Sequence, residues 1–135
     1  MAALAKDRQT DVRAGDLIDV PVKASTKIYA GSLVVADGGY AKPAAKAASL
    51  IALGRAEELA DNSSGANADI KVRVRRGVFK WATTAAAAGK VTAAEIGKDV
   101  YIADDQTVDK RDTGTSKAGK CLEIAADGEV WVETR

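Results

Sequence analysis

"IKVRVRRGVFKW", Ile70 to Trp81, decides how the chain is read. Ile70, Val72 and Val74 take every second position, with Lys71, Arg73 and Arg75 between them. A strand sends successive side chains to opposite faces, so this pattern predicts one apolar face and one cationic face. The alternation breaks at Arg76-Gly77, and the bulky residues Phe79 and Trp81 fall on the other parity. An extra residue in one strand of a pair resets register in this way, and glycine suits the position because it tolerates positive φ. The expectation is a long bent strand with a bulge at Arg76-Gly77, its two halves feeding different parts of the core.

The same grammar recurs on both sides. "AGDLIDVPV" reads as a strand that Pro21 places at a sheet edge. Leu33-Val34-Val35 is a short apolar strand, Asp37-Gly38-Gly39 a turn, and Tyr40 begins a return strand that Pro43 stops. Ser49 to Leu59 favours strand over helix, because Gly54 in mid-run suits a bulge or a close approach better than a helix interior. Ala60 to Asp69 is loop by composition, its Asn62-Ser63-Ser64 a polar turn. Ala82 to Lys90 is low in complexity and fits helix, loop or a small-residue packing surface equally.

Thr92 and Glu95 stand in capping-box relation, and Gly97 ends the single helical turn they start. Val100-Tyr101-Ile102 is a strand, and Ala103 to Gln106 a turn into "TVDK". A terminal hairpin follows, with Leu122 and Ile124 alternating with Glu123, Asp127-Gly128 as its turn, and Val130 and Val132 flanking Trp131. "AGDLIDV", "AGSLVVAD" and "AGKCLEIAAD" each enter a strand through Ala-Gly, which reads as repeated turn chemistry. Many short strands with Gly/Asp turns predict an all-β fold, a small β-barrel or β-sandwich of antiparallel strands. Residues 1–13 are mixed, polar and aperiodic and read as a flexible arm; residues 14–135 read as a single β-rich domain.

Composition bounds the function. The 135 residues suffice for one ordinary core. Their hydrophobic fraction of 47% is inflated by alanine, and aromatics make up only 4%, so each strand buries little area and association with copies of itself would add stability. Lys+Arg number 20 against Asp+Glu 19, a net charge of +1, whereas dedicated nucleic-acid binders carry a basic excess. The cationic stretch is therefore a local feature. The N-terminal sequence builds no apolar signal region, and no run is long enough to span a membrane, so the expected setting is soluble and intracellular at synthesis.

The chain has no histidine, which removes serine triads and His-based metal sites from consideration. Its one cysteine, Cys121, cannot form an internal disulfide, lacks the usual base partner and reads as a buried small hydrophobe. Phosphate-cradling glycine patterns are missing. Asp104-Asp105 and Glu57-Glu58 are adjacent pairs that read as solvated turns or strand ends. The expectation is no enzyme, no cofactor and no metal. Lys71, Arg73, Arg75 and Arg76 remain as the candidate site, with three readings: a solvent face that guards an edge strand, an interface to carboxylates, or a phosphate site.

Four segments, "YAGSLVVADGGYAKPA", "DNSSGANADIKVRVRRGVFKW", "IGKDVYIADDQTVDK" and "AGKCLEIAADGEVWVET", in that order, resemble the small capsid cement (head decoration) proteins of tailed bacteriophages and prophages. The resemblance covers Asp16 to Thr134; the N-terminal dozen and "ATTAAAAGK" carry no signature of it. It implies a β-rich, non-enzymatic virion protein, made in the host cytoplasm, that binds the outer surface of the phage head. Its implied partners are the major capsid protein and further copies of itself, trimers being favoured, with no specific nucleic acid and no membrane. On that picture the arm, Met1 to Arg13, orders on a neighbouring subunit, and Arg73, Arg75 and Arg76 meet acidic groups there or on the shell. The rival from another class is a nucleic-acid-binding β-barrel that uses the Lys71–Arg76 basic strand.

Overall fold

The computed structural model describes Ala2–Arg135 and is all-β. The described residues form twelve strands and one 3-10 turn. β1 (Leu17–Pro21), β3 (Leu33–Asp37), β4 (Tyr40–Pro43), β5 (Ile51–Ala56) and β7 (Lys71–Arg75) form a five-stranded sheet in the order β1-β7-β5-β3-β4. β2 (Thr26–Ile28) and β6 (Ala60–Asn62) pair with each other. β8 (Gly77–Thr83), β9 (Asp99–Ile102), β10 (Thr107–Asp109), β11 (Lys117–Ile124) and β12 (Val130–Thr134) close a barrel in the order β10-β8-β12-β11-β9. Barrel, rather than sandwich, is the outcome. One departure from the expected antiparallel layout is the β10–β8 pair, which is parallel.

The opening stretch is where sheet and barrel meet. β7 pairs with β1 and β5, and β8 with β12 and β10, so Arg76 is not a bulge within one ladder. It is the single residue at which the chain leaves the sheet and enters the barrel. Its N–H donates to the Asp16 carbonyl (2.7 Å), the last bond of the β1–β7 ladder. Gly77 follows at φ 152°, a conformation that side-chain-bearing residues rarely adopt. The parity change inferred from sequence is real, and its cause is a change of sheet.

Two apolar clusters result. Val72 and Val74 join Val22, Ile28, Val34, Ala41, Ala56 and Ala60 inside the curled sheet. Phe79 and Trp81 join Val100, Ile102, Val108, Ala118, Cys121, Val130 and Val132 inside the barrel. Leu33, Val35, Ala44 and Leu50 also belong to the barrel cluster, so alternate residues of β3 serve both cores. Gly54 behaves as both alternatives suggested: register shifts opposite it, between Val34 and Val35, and a Cβ there would collide with the Arg75 carbonyl.

Several local expectations are corrected. Ala60–Asn62 is strand, not loop, and Asn62 is buried; its amide donates to the Lys23 and Ala66 carbonyls (both 3.0 Å). The alanine-rich stretch continues β8 to Thr83 and then turns, without helix, over Asp109. In β11 the register shifts between Cys121 and Glu123, so Leu122 is 40% exposed while Cys121 is buried. Ala118-Gly119 lies within β11, so the third Ala-Gly is not a turn. The 3-10 turn Ala93–Glu95 forms at the expected place, with the Thr92 N–H donating to Glu95 Oε1 (2.8 Å). The arm expected over 1–13 is described from Ala2, Met1 lying outside the described residues. It has no helix or strand, and every residue from Ala2 to Leu17 is exposed.

Candidate functional site: the cationic strand

β7 presents Lys71 and Arg73 to solvent, with Arg75 half-buried and Arg76 exposed at the crossover. Alternation along the strand puts Val72 and Val74 into the curled core and the cations on the other side. The strand fixes their spacing, but its neighbours decide how free they are. β1 brings Asp19 opposite Arg73, and Arg73 Nε lies 3.2 Å from Asp19 Oδ1. The Arg73 guanidinium is held charged more firmly than usual by its hydrogen bond to Asp19 and the attraction of that carboxylate. Glu58 Oε1 also accepts the Arg73 backbone N–H (3.3 Å).

Arg75 shares a carboxylate. Its Nε lies 3.4 Å from Glu57 Oε1, which also takes Arg55 Nη2 at 2.7 Å. Arg55, first, and Arg75 hold the Glu57 carboxyl below its ordinary range. The Arg55 guanidinium in turn lies over the Phe79 ring, 5.0 Å from its centroid, which links the sheet to the barrel just past the crossover. Among the described residues, Lys71 and Arg76 have no carboxylate partner.

Strand alternation thus puts Lys71, Arg73 and Arg75 on one side of β7, with Arg76 exposed just beyond its end, and the four are of two kinds. Arg73 and Arg75 are engaged by carboxylates of their own chain, while Lys71 and Arg76 face solvent with their charges unmatched. Carboxylates interleaved among the arginines reduce the positive field that a phosphate backbone would meet. The sequence could not give this pairing, because Asp19 and Glu57 lie far from β7 along the chain.

The strongest carboxylate environment lies elsewhere. Asp109, buried at the end of β10, takes Arg111 through Nε (3.0 Å) and Nη2 (2.8 Å), and Thr84 Oγ1 donates to it at 2.9 Å. Arg111 foremost, against the cost of burial, pulls its pKa down to about 2. A Cβ at Gly89 would strike this carboxylate, so the group clamps the alanine-rich turn to the barrel. Asp109-Lys110-Arg111 carries no sequence signal for this role, which depends on the turn folding over it. Burial pushes the Cys121 thiol up, as suits a packed small side chain rather than a nucleophile.

The surface carries shallow, open concavities. One, of about 330 Å³, runs between the start of β5 and the ends of β11 and β12, past Ile51, Lys117, Lys120 and Arg135. Among the described residues no cluster of three or more His, Cys, Asp or Glu is placed to hold a metal, and no helix is long and apolar enough to cross a membrane. Comparison with family models, with curated proteins and with solved structures gave no match.

Proposed function

We propose that this chain is a non-enzymatic decoration protein of a tailed-phage head, binding the outer surface of the assembled shell and bridging its subunits. The observation that carries the reading is the ordered set of four segments resembling head decoration proteins, which span both the curled sheet and the barrel. A β-rich body with an exposed segment from Ala2 to Asp16 suits a protein whose work is done by surface contact. Neighbouring copies and the major capsid protein are the expected partners, and trimers the favoured assembly. A protein that binds only the expanded lattice stabilises that state by mass action, and contacts to several subunits at once multiply modest affinities.

Lys71 and Arg76, the two cations without internal carboxylates, are the better interface candidates; Arg73 and Arg75 must first break or share their pairs. The test is co-sedimentation with expanded heads and with unexpanded procapsids, beside a lane of free DNA. Saturable binding to expanded shells alone is expected, and Lys71→Ala with Arg76→Ala should weaken it more than Arg73→Ala with Arg75→Ala. Binding to DNA that falls steeply with salt, without attachment to shells, would replace this reading by the nucleic-acid-binding barrel.

A further inference from the structure

Asp109 and Ser116 are among the few polar side chains that this fold buries, and each braces a wall of one cleft. The cleft holds about 450 Å³, an ordinary size for a small-molecule site. It opens where the β4–β5 connection, the end of β9 and the β10–β11 connection meet. Lys46, Ala103, Arg111, Thr113 and Thr115 line it beside the Asp109 carboxylate.

Arg111 is held without being exhausted. Asp109 takes Nε and Nη2 on one edge of the guanidinium, together with the Arg111 backbone N–H (2.7 Å) and the Thr84 hydroxyl. With these donors in place, the carboxylate serves as a brace. A guanidinium carries its N–H groups as a rigid planar fork. Both N–H groups of Nη1 and the second of Nη2 have no acceptor among the described residues. Gly89 packs so closely that a Cβ there would strike both the carboxylate and Arg111 Nη2, which fixes the plane from another side. The side chain is 49% exposed, so its outer edge is within reach of a ligand.

A second cation comes from the β4–β5 connection. Ser116 Oγ donates to the Ala47 carbonyl (2.6 Å) and accepts the Leu50 N–H (3.0 Å), tying that connection to the start of β11. Lys46 is the residue before the tie, and among the described residues its ammonium has no carboxylate partner. Thr115 Oγ1 donates to the Ile102 carbonyl (2.6 Å), which fixes the wall between β9 and β11. The cleft thus sets two cations against one carboxylate, leaving a single positive charge over.

We propose that this cleft binds a small organic carboxylate, its two oxygens on the outer fork of Arg111 and its charge shared with Lys46. A planar fork matches a carboxylate through two parallel hydrogen bonds. The single excess charge suits a monoanion, whereas a phosphate dianion would face the Asp109 carboxylate with one negative charge unmatched. Ala103 and the threonine methyl groups border a space that a short hydrocarbon body can fill. Because Asp109 already orients the guanidinium, binding need not order it, which lowers the cost of association. The site lies apart from β7 and stands or falls independently of binding to phage heads.

The test is a titration of the full chain with sodium butyrate, followed by amide NMR, with sodium chloride adjusted to keep ionic strength constant. Saturable shifts are expected at Lys46, Ala103, Arg111, Thr113 and Thr115, and not across the surface lysines at large. Arg111→Lys keeps the charge but not the fork, and should weaken binding at least about tenfold. Lys46→Ala should weaken it about threefold, the scale of one exposed ion pair. That second variant removes no internal ion pair, so it tests the site even where Arg111→Lys loosens the clamp on Asp109. Inorganic phosphate, titrated in the same way, should bind more weakly than butyrate. Phosphate that binds as tightly overturns the carboxylate assignment. Shifts that do not saturate, or that both variants leave unchanged, overturn the site itself.

Discussion

The barrel and the curled sheet are built from consecutive halves of one sequence run, yet they solve the edge problem differently. β8 to β12 close into a barrel, so each of these strands has a hydrogen-bonded neighbour on both sides along part of its length. The sheet closes through one bridge at Val22–Ala41 and leaves β1 open. Their cores differ in the same sense. The barrel holds Phe79 and Trp81, which pack as a tilted pair with centroids 6.1 Å apart, while the sheet's buried core is valine, alanine and one isoleucine. Stability is thereby concentrated in the barrel, and surface available for contact in the sheet.

Trp81→Ala is the largest test of this asymmetry, expected to cost about 3–5 kcal/mol in denaturant unfolding. Trp81→Phe should cost clearly less, because the buried indole N–H has no hydrogen-bond partner to lose. In the sheet, Val74→Ala should cost about 2 kcal/mol, from lost transfer energy and a small cavity. If Val74→Ala proved the more damaging, the assignment of stability to the barrel would be wrong.

Acid separates the regions further. The Asp109 pKa of about 2 lies below its ordinary value of 3.8, so its contribution is present above that ordinary value and is lost as pH falls towards 2. The shift corresponds to roughly 1–2 kcal/mol after allowing for the half-exposed Arg111. Asp109→Asn should flatten the fall in stability between about pH 5 and pH 2, measured by urea unfolding across that range. It should also raise amide exchange in the turn before Val91.

At the bottom of the scale, Arg73→Ala should leave the melting temperature unchanged within error, because its pair with Asp19 is exposed on both sides. Leu122→Ala should shift stability by less than about 0.5 kcal/mol, whereas Cys121→Ser, which puts a hydroxyl in the neighbouring buried position, should cost about 1–3 kcal/mol. Equal effects from the two would place the β11 irregularity in the wrong register.

These contrasts also mark how far the sequence could be read. Alternation at Val72 and Val74 and at Val130 and Val132 identified buried faces, because period two is a local property of the strand. Gly38-Gly39 and Pro21 declared a hairpin and an edge through backbone chemistry that needs no partner. Leu122 misled because an irregularity in pairing does not change composition. Asn62 reads as a polar loop residue because its three acceptors, the Val22, Lys23 and Ala66 carbonyls, come together only on folding.

The sequence alone determined that the chain is all-β, where several of its strands lie, and that Arg76-Gly77 separates two runs of opposite parity. Backbone preferences and side-chain alternation act within a few residues, so a linear reading captures them. Tertiary structure alone decided that the parity change is a passage from sheet to barrel, that Asp19 and Glu57 take up Arg73 and Arg75, and that β1 keeps a free edge. Each of these depends on which distant strands become neighbours. Pairing between strands is a long-range choice that local residue patterns constrain but do not make.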